Sequence, residues 1–132
     1  MLRDRLIAAL VGELPLVSFV FGTAPDPVAT VRSPTPEVGT LTIYDDGDEA
    51  TVDISEISHS HFNRYGESLS DDERHQSITE DVVDFLRALF ADQVLLFRTS
   101  NRRTGGWQRL DLTPVVSDRQ PHYQYFFWSG PA

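Results

Sequence analysis

The chain has 132 residues and a formal net charge of −9, and it contains neither cysteine nor lysine. The absence of cysteine excludes disulfides, thiol nucleophiles and thiolate metal sites, and the absence of lysine excludes a Schiff base or a P-loop lysine. The length suits a single domain over 1–132, and a hydrophobic content of 40 % is sufficient for a core. Because an acidic chain repels nucleic acid and anionic membranes, its composition favours a basic protein partner.

The N-terminal residues predict a short amphipathic helix over 2–14, in which leucines recur at every fourth position. Pro15 cannot continue this helix, and the apolar run 16–21 then predicts a buried strand or an extended segment. A signal peptide is the alternative, because Arg3 and Arg5 precede the apolar residues, but acidic residues and Pro15 interrupt that pattern. No apolar run has the length of about 20 residues that a membrane span needs, so we expect a soluble, cytoplasmic protein that does not bind membranes.

A β-hairpin is the clearest pattern in the chain. Residues 40–44 and 50–55 alternate between apolar and polar side chains, and the turn 45–48 between them contains an aspartate–glycine pair, a strong hairpin signal. The residues expected on its buried face are Leu41, Ile43, Val52 and Ile54. Residues 22–39 before the hairpin are rich in proline and glycine and leave room for one edge strand over 28–32.

A second helix is predicted to begin at Ser77. Ser77 and Glu80 match a capping box, in which each side chain accepts a hydrogen bond from a backbone N–H at the helix start. Apolar residues then recur at helical spacing at Ile78, Val82, Phe85, Leu86, Leu89 and Phe90. The polar residues 63–76 are expected to form a long loop.

Three further strands are predicted after the second helix, over 94–97, 107–112 and 123–128. The order is therefore helix, strands, hairpin, helix and strands. This order predicts the α+β class, with a mainly antiparallel sheet of about five to six strands and two helices packed on one face.

The charge is distributed unevenly along the chain. Residues 37–92 contain fifteen acidic residues and three arginines, which gives −12, whereas the other residues contain five acidic residues and eight arginines, which gives +3. This asymmetry orients a charged partner as it approaches. We therefore expect docking to another protein, or pairing of two copies in a homodimer.

Two acidic clusters lie within the negative region, one in the predicted hairpin turn and one ahead of the second helix. Their members are Asp45, Asp46, Asp48, Glu49, Asp71, Asp72 and Glu73. A calcium loop is an alternative for the first cluster, but the alternating ligands and the closing glutamate of such a loop are missing. We expect both clusters to bind a basic protein.

The segment 98–109 is the basic part of the chain, with four arginines and no acidic residue. Arg102, Arg103 and Trp107 are expected to contact a protein partner. Binding of phosphate or of nucleic-acid bases is the alternative, but a net charge of −9 opposes nucleic acid. The aromatic strand 123–128 is a third candidate surface, on which a homodimer could form.

His59 and His61 are the sharpest candidates for chemistry. If the preceding strand continues, both side chains point to one face, and two imidazoles at this spacing can bind one zinc, nickel or iron ion. A further ligand would come from a carboxylate or another histidine, with the candidates Asp53, Asp71, Glu73, His75 and His122. The alternative is a strand end with two exposed histidines.

No catalytic motif is present: the sequence has no G-x-S-x-G elbow, no G-x-G-x-x-G, no Walker sequence and no H-E-x-x-H. The leading hypothesis is therefore a non-enzymatic module, without a cofactor, that binds a basic protein. The alternative is a metal-binding protein or a metal-dependent enzyme that uses His59 and His61 and a divalent cation.

Parts of the chain resemble small bacterial proteins that bind other proteins. The stretches 41–44, 58–62 and 81–86, within 39–107, look like small bacterial domains, some of which are thought to be immunity proteins that neutralise a toxin. The order of helices and strands in a small acidic chain is similar to that of type III secretion chaperones, which are dimeric and bind an unfolded effector segment. Both resemblances imply a protein partner.

Overall fold

The computed structural model describes residues 1–55, 57–102, 104–112 and 121–132. Helices and strands follow one another along these residues in the order α1 (Leu2–Glu13), β1 (Val20–Phe21), β2 (Ala29–Arg32), β3 (Thr40–Asp45), β4 (Glu49–Ile54), β5 (Ser58–Asn63), α2 (Asp71–Phe90), β6 (Val94–Thr99), β7 (Gly105–Arg109), β8 (Tyr123–Phe127) and β9 (Gly130–Pro131). Across those ranges, neither helix combines the length and the apolar character that crossing a membrane requires.

The strands form two antiparallel sheets. The first sheet has the order β1-β2-β3-β4-β5 and the second has the order β7-β6-β8-β9. Helix α2 packs against β4 and β5, and α1 packs against α2. These features confirm the predicted α+β class with mainly antiparallel strands and two helices. The strands belong to two sheets of five and four, rather than to one sheet of five to six.

The central hairpin has the predicted buried face. Leu41 pairs with Ile54 and Ile43 pairs with Val52 across β3 and β4, and all four side chains are buried in the core. Gly47 supplies the positive φ of 91° that the turn requires, a conformation that glycine adopts without steric cost.

The N-terminal helix also agrees with the prediction, because Leu2, Leu6 and Leu10 are buried along one side of α1. The buried strand over 16–21, in contrast, was wrong. Leu16 is 96 % exposed, and only the last two residues of the run pair as β1. Because this two-residue strand contacts the sheet through β2 alone, its side chains lack a covering layer.

Helix α2 begins earlier than predicted, and the loop over 63–76 was wrong in its last part. Ser70 is the N-cap: its Oγ accepts a hydrogen bond from the Glu73 N–H at 3.2 Å, and Glu73 Oε1 accepts one from the Ser70 N–H at 3.1 Å. The segments that begin at Ser70 and at Ser77 both match the capping-box pattern. The apolar periodicity starts only at Ile78, so the sequence pattern favoured a helix start at Ser77. In the structure the capping hydrogen bonds place the start at Ser70.

The two sheets meet where β5 lies beside β7. A Cβ atom at Gly105 would lie 2.1 Å from the Ile57 carbonyl oxygen, so the backbones approach as closely as glycine allows. At the other end of the second sheet, the Trp128 carbonyl accepts hydrogen bonds from the hydroxyls of Ser33 at 2.6 Å and Thr35 at 3.1 Å. Both ends of the second sheet therefore contact the first sheet or its loops.

Candidate docking surface

The turn of the β3–β4 hairpin presents its carboxylates in an ordered arrangement. Asp45 accepts hydrogen bonds from the backbone N–H groups of Gly47 at 2.8 Å and Arg3 at 3.0 Å. Asp46 accepts one from the Thr51 hydroxyl at 2.5 Å. Asp45 and Asp46 thus each accept a hydrogen bond from a nearby residue of the hairpin, which sets the position of the carboxylate. Asp46 and Asp48 remain exposed.

The first turn of α2 carries the second group of carboxylates. Asp71, Asp72 and Glu73 are all exposed and stand at the helix N-terminus, where the macrodipole favours negative charge. The pKa of Glu73 lies below its ordinary value of 4.5, because the backbone N–H and hydroxyl of Ser70 bond to the carboxylate. Glu73 is therefore ionised at neutral pH.

The fold brings the two acidic groups together. Arg74 Nη1 lies 2.7 Å from Asp71 Oδ1 and 3.5 Å from Asp48 Oδ1. His75 Nε2 lies 3.8 Å from the same Asp48 oxygen, so one residue of the hairpin turn contacts two residues of α2. Arg5 of α1 pairs with Asp72. Neither Arg74 nor His75 was predicted to belong to this surface, because residues 63–76 were expected to form a loop and His75 was named only as a possible metal ligand.

The acidic face comprises the carboxylates of the hairpin turn and of the first turn of α2: Asp45, Asp46, Asp48, Glu49, Asp71, Asp72 and Glu73. Among the described residues, the guanidinium groups paired with these seven carboxylates are those of Arg5 and Arg74, which leaves a net charge of −5 for this set. The side chains of Asp71 and Asp72 remain 87 % and 76 % exposed despite their ion pairs. Surface pairs of this kind are weak, so the carboxylates stay available to a partner.

Of the three remaining predicted contact residues, the structure describes Trp107 and Arg102, and both lie away from the acidic face. Trp107 is half-buried, with its ring 4.7 Å from that of Phe85 and its Nε1–H bonded to Ser60 Oγ at 2.7 Å. Arg102 is exposed and lines a depression together with Asp53 and His59. Arg103 lies outside the described residues. The structure therefore brings together the seven acidic residues but does not place Arg102 or Trp107 beside them.

Two arginines of the basic segment, Arg98 and Arg109, are engaged in contacts within the molecule. Arg98 is 4 % exposed, donates to the Glu37 carbonyl at 3.0 Å and stacks over Phe126. Arg109 pairs with Asp111 and with Asp84, each at 2.6 Å. The bonds to Asp111 raise the pKa of Arg109, and the same bonds lower the pKa of Asp111.

An open groove, which the sequence did not reveal, lies between α2 and β7. It has a volume of about 490 Å³ and a floor of Phe62, Phe85 and Trp107. Both of its aspartates are paired: Asp81 lies 2.7 Å from Arg64 and Asp84 lies 2.6 Å from Arg109. The groove is therefore much closer to neutral than the acidic face.

His59 and His61 lie on β5 and share its exposed face, as the alternation predicted. Their side chains are 59 % and 46 % exposed. In the described ranges, no group of three or more histidine, aspartate or glutamate side chains has an arrangement that could hold a metal ion. The carboxylates and histidines that were predicted as a possible third metal ligand therefore do not complete a site with His59 and His61.

Comparison of the chain with protein-family models, with curated proteins and with solved structures gives no match.

Proposed function

We propose that this chain is a non-enzymatic protein-binding module whose acidic face docks a basic partner. The observation that carries the proposal is the contact of Asp48 with both Arg74 and His75, through which the hairpin turn and the first turn of α2 form one surface. The resemblance to immunity-like and chaperone-like bacterial proteins agrees with a protein partner.

The charge of the acidic face supports a basic partner in particular. Seven carboxylates against two guanidinium groups produce a negative potential that attracts arginine- and lysine-rich surfaces and accelerates their approach. Because five of the seven carboxylates are exposed, this attraction decreases as salt screens it over a Debye length of about 10 Å at 0.1 M. Binding is therefore expected to weaken steeply between low and high salt.

The test begins with recovery of a partner from the source cell at low and at high salt, followed by measurement of its affinity with purified proteins. The variant Asp46→Asn/Asp48→Asn/Asp71→Asn removes three charges from the acidic face. It should weaken binding at low salt by about 3- to 150-fold, as expected from about 0.2–1 kcal/mol for each of three exposed charges.

A matched variant separates local charge from total charge. Glu13→Gln/Asp26→Asn/Glu37→Gln also removes three exposed acids, but all three lie outside the acidic face. It should bind the partner within about 2-fold of the wild type, since distant exposed charges are largely screened. Equal loss in both triple variants, recovery of no partner at low salt, or binding that is insensitive to salt would each contradict the proposal.

A further inference from the structure

Strand β5 places two imidazole rings side by side on an accessible surface. His59 and His61 are two residues apart and point to the same face, with ring centroids 4.8 Å apart and ring planes at 78°. Each ring has its Nδ1 atom against a carboxylate of the adjacent strand β4. These distances are 3.2 Å to Asp53 Oδ1 and 3.0 Å to Glu49 Oε2.

The hydrogen bonds around His61 determine which ring nitrogen carries the proton. His61 Nδ1 also lies 3.2 Å from Thr51 Oγ1, and that hydroxyl donates its proton to Asp46. Both neighbours of His61 Nδ1, the Glu49 carboxylate and the Thr51 oxygen, are therefore acceptors. A neutral imidazole satisfies them only with its proton on Nδ1, which leaves a lone pair on Nε2.

The hydrogen bond of His59 favours the same tautomer. Its Nδ1 faces the Asp53 carboxylate, which accepts hydrogen bonds and does not donate them when ionised. The neutral His59 ring therefore also carries its proton on Nδ1 and a lone pair on Nε2. A carboxylate that accepts from Nδ1 while Nε2 faces outward is the usual outer contact of a metal-binding histidine, because it fixes the ring and raises its basicity.

We propose that His59 and His61 bind a late first-row divalent transition-metal ion through their Nε2 atoms, with Asp53 and Glu49 as the outer hydrogen-bond partners. With Nε2–metal distances of about 2.1 Å and ligand angles of about 90–109°, the two ring centroids would lie about 4.5–5.2 Å apart. The separation in the structure, 4.8 Å, lies within that range. Water occupies the remaining coordination positions, and the site goes beyond the proposed docking function.

The ligand type specifies the order of metal affinities. Imidazole nitrogen binds copper, nickel and zinc, and for a given site Cu²⁺ binds most tightly of the three. We therefore expect one Cu²⁺ per chain, bound more tightly than Ni²⁺ or Zn²⁺.

The test is calorimetric titration of the full chain with CuCl₂ in a weakly coordinating buffer. His59→Ala and His61→Ala should each weaken Cu²⁺ binding by at least about 10-fold, and Asp53→Asn by about 10-fold through the loss of its outer contact. His122→Ala is the matched control, because His122 is exposed but lies outside β5. It should leave the affinity unchanged.

A spectroscopic measurement on the wild-type chain does not depend on the folding of any variant. Electron paramagnetic resonance of the Cu²⁺ complex should show hyperfine splitting from two imidazole nitrogens. Splitting from fewer nitrogens, sub-stoichiometric uptake, or equal affinity in the wild type and in His59→Ala/His61→Ala would indicate an adventitious ion only and overturn the proposal.

Discussion

Trp107 donates its indole N–H to Ser60 Oγ over 2.7 Å, and this bond joins β7 of the second sheet to β5 of the first. The indole ring also packs against Phe85 of α2, with centroids 4.7 Å apart. One half-buried side chain therefore contacts both sheets and the long helix. Its removal should affect the association of these layers more than the stability of a single strand pair.

The first prediction concerns this bond. Trp107→Phe keeps an aromatic ring but loses the indole donor and part of the packing, so we expect the free energy of unfolding to fall by about 1–3 kcal/mol. Ser60→Ala leaves the indole N–H without its acceptor and should cost about 1–2 kcal/mol. Urea denaturation of both single variants and of the double variant measures the coupling. If the free-energy losses of the two single variants add up to the loss of the double variant, Trp107 and Ser60 are not energetically coupled and the hydrogen bond does not stabilise the protein.

The second prediction concerns the close approach of β5 and β7. Gly105→Ala would place a Cβ atom 2.1 Å from the Ile57 carbonyl oxygen, which is a backbone atom and cannot rotate away. We expect a loss of about 1–3 kcal/mol in urea denaturation, typical of overpacking. Gly12→Ala is the control, because a Cβ there meets no heavy atom within 4 Å. It should stabilise α1 by up to about 1 kcal/mol, and equal losses at both glycines would refute the steric explanation.

The third prediction distinguishes the two possible capping boxes of α2. Ser70→Ala removes the hydroxyl that accepts the Glu73 N–H and should lower the free energy of unfolding by about 1 kcal/mol. Ser77→Ala changes a residue inside the helix, where alanine is the better helix former, and should be neutral or stabilising by about 0.5 kcal/mol. Thermal or urea unfolding decides between them, and a larger loss at Ser77 would place the helix start there.

The fourth prediction is a dependence of stability on pH. Folding lowers the pKa of Glu73 below 4.5 through its bonds with Ser70, so the folded state favours the ionised form. The stabilisation that this provides is complete above the unfolded pKa and is lost as the pH falls through the folded pKa. Glu73→Gln should therefore reduce stability at pH 7 and have less effect near pH 3. Unfolding curves at both pH values measure the difference, and an equal effect at both would exclude this linkage.

The sequence predicts those parts of the fold that depend on local patterns. The β3–β4 hairpin follows from strict alternation and an aspartate–glycine turn, so the pairing of its two strands and its four buried residues were confirmed. The start of α2 could not be predicted in the same way. Its first turn contains no apolar residue, and its side chains contact Asp48 and Arg5, which are both distant in sequence. Hydrophobic periodicity carries no information about such contacts.

The acidic residues of the candidate surface were evident from composition, but their grouping was not. Sequence separates the hairpin turn from α2 by more than twenty residues, and only the packing of the sheet against the helix brings them together. For the basic segment 98–109, the number of arginines overstated the positive charge that is available at the surface. Arg98 is buried over Phe126, and Arg109 is neutralised by two aspartates, so neither contributes a surface charge of the kind that the sequence indicated.

The contacts of Asp48 with Arg74 and His75 have a kinetic consequence. They add to the packing of the sheet against α2, which places the hairpin turn beside the helix before any partner arrives, so docking requires little rearrangement of either element and little loss of conformational entropy. A partner that uses this surface should bind in one step, with an observed rate that rises linearly with its concentration and shows no plateau. Because exposed ion pairs are weak, Asp48→Ala should still bind in one step, and a slower, concentration-independent phase in that variant would show that the ion pairs rather than the packing position the turn.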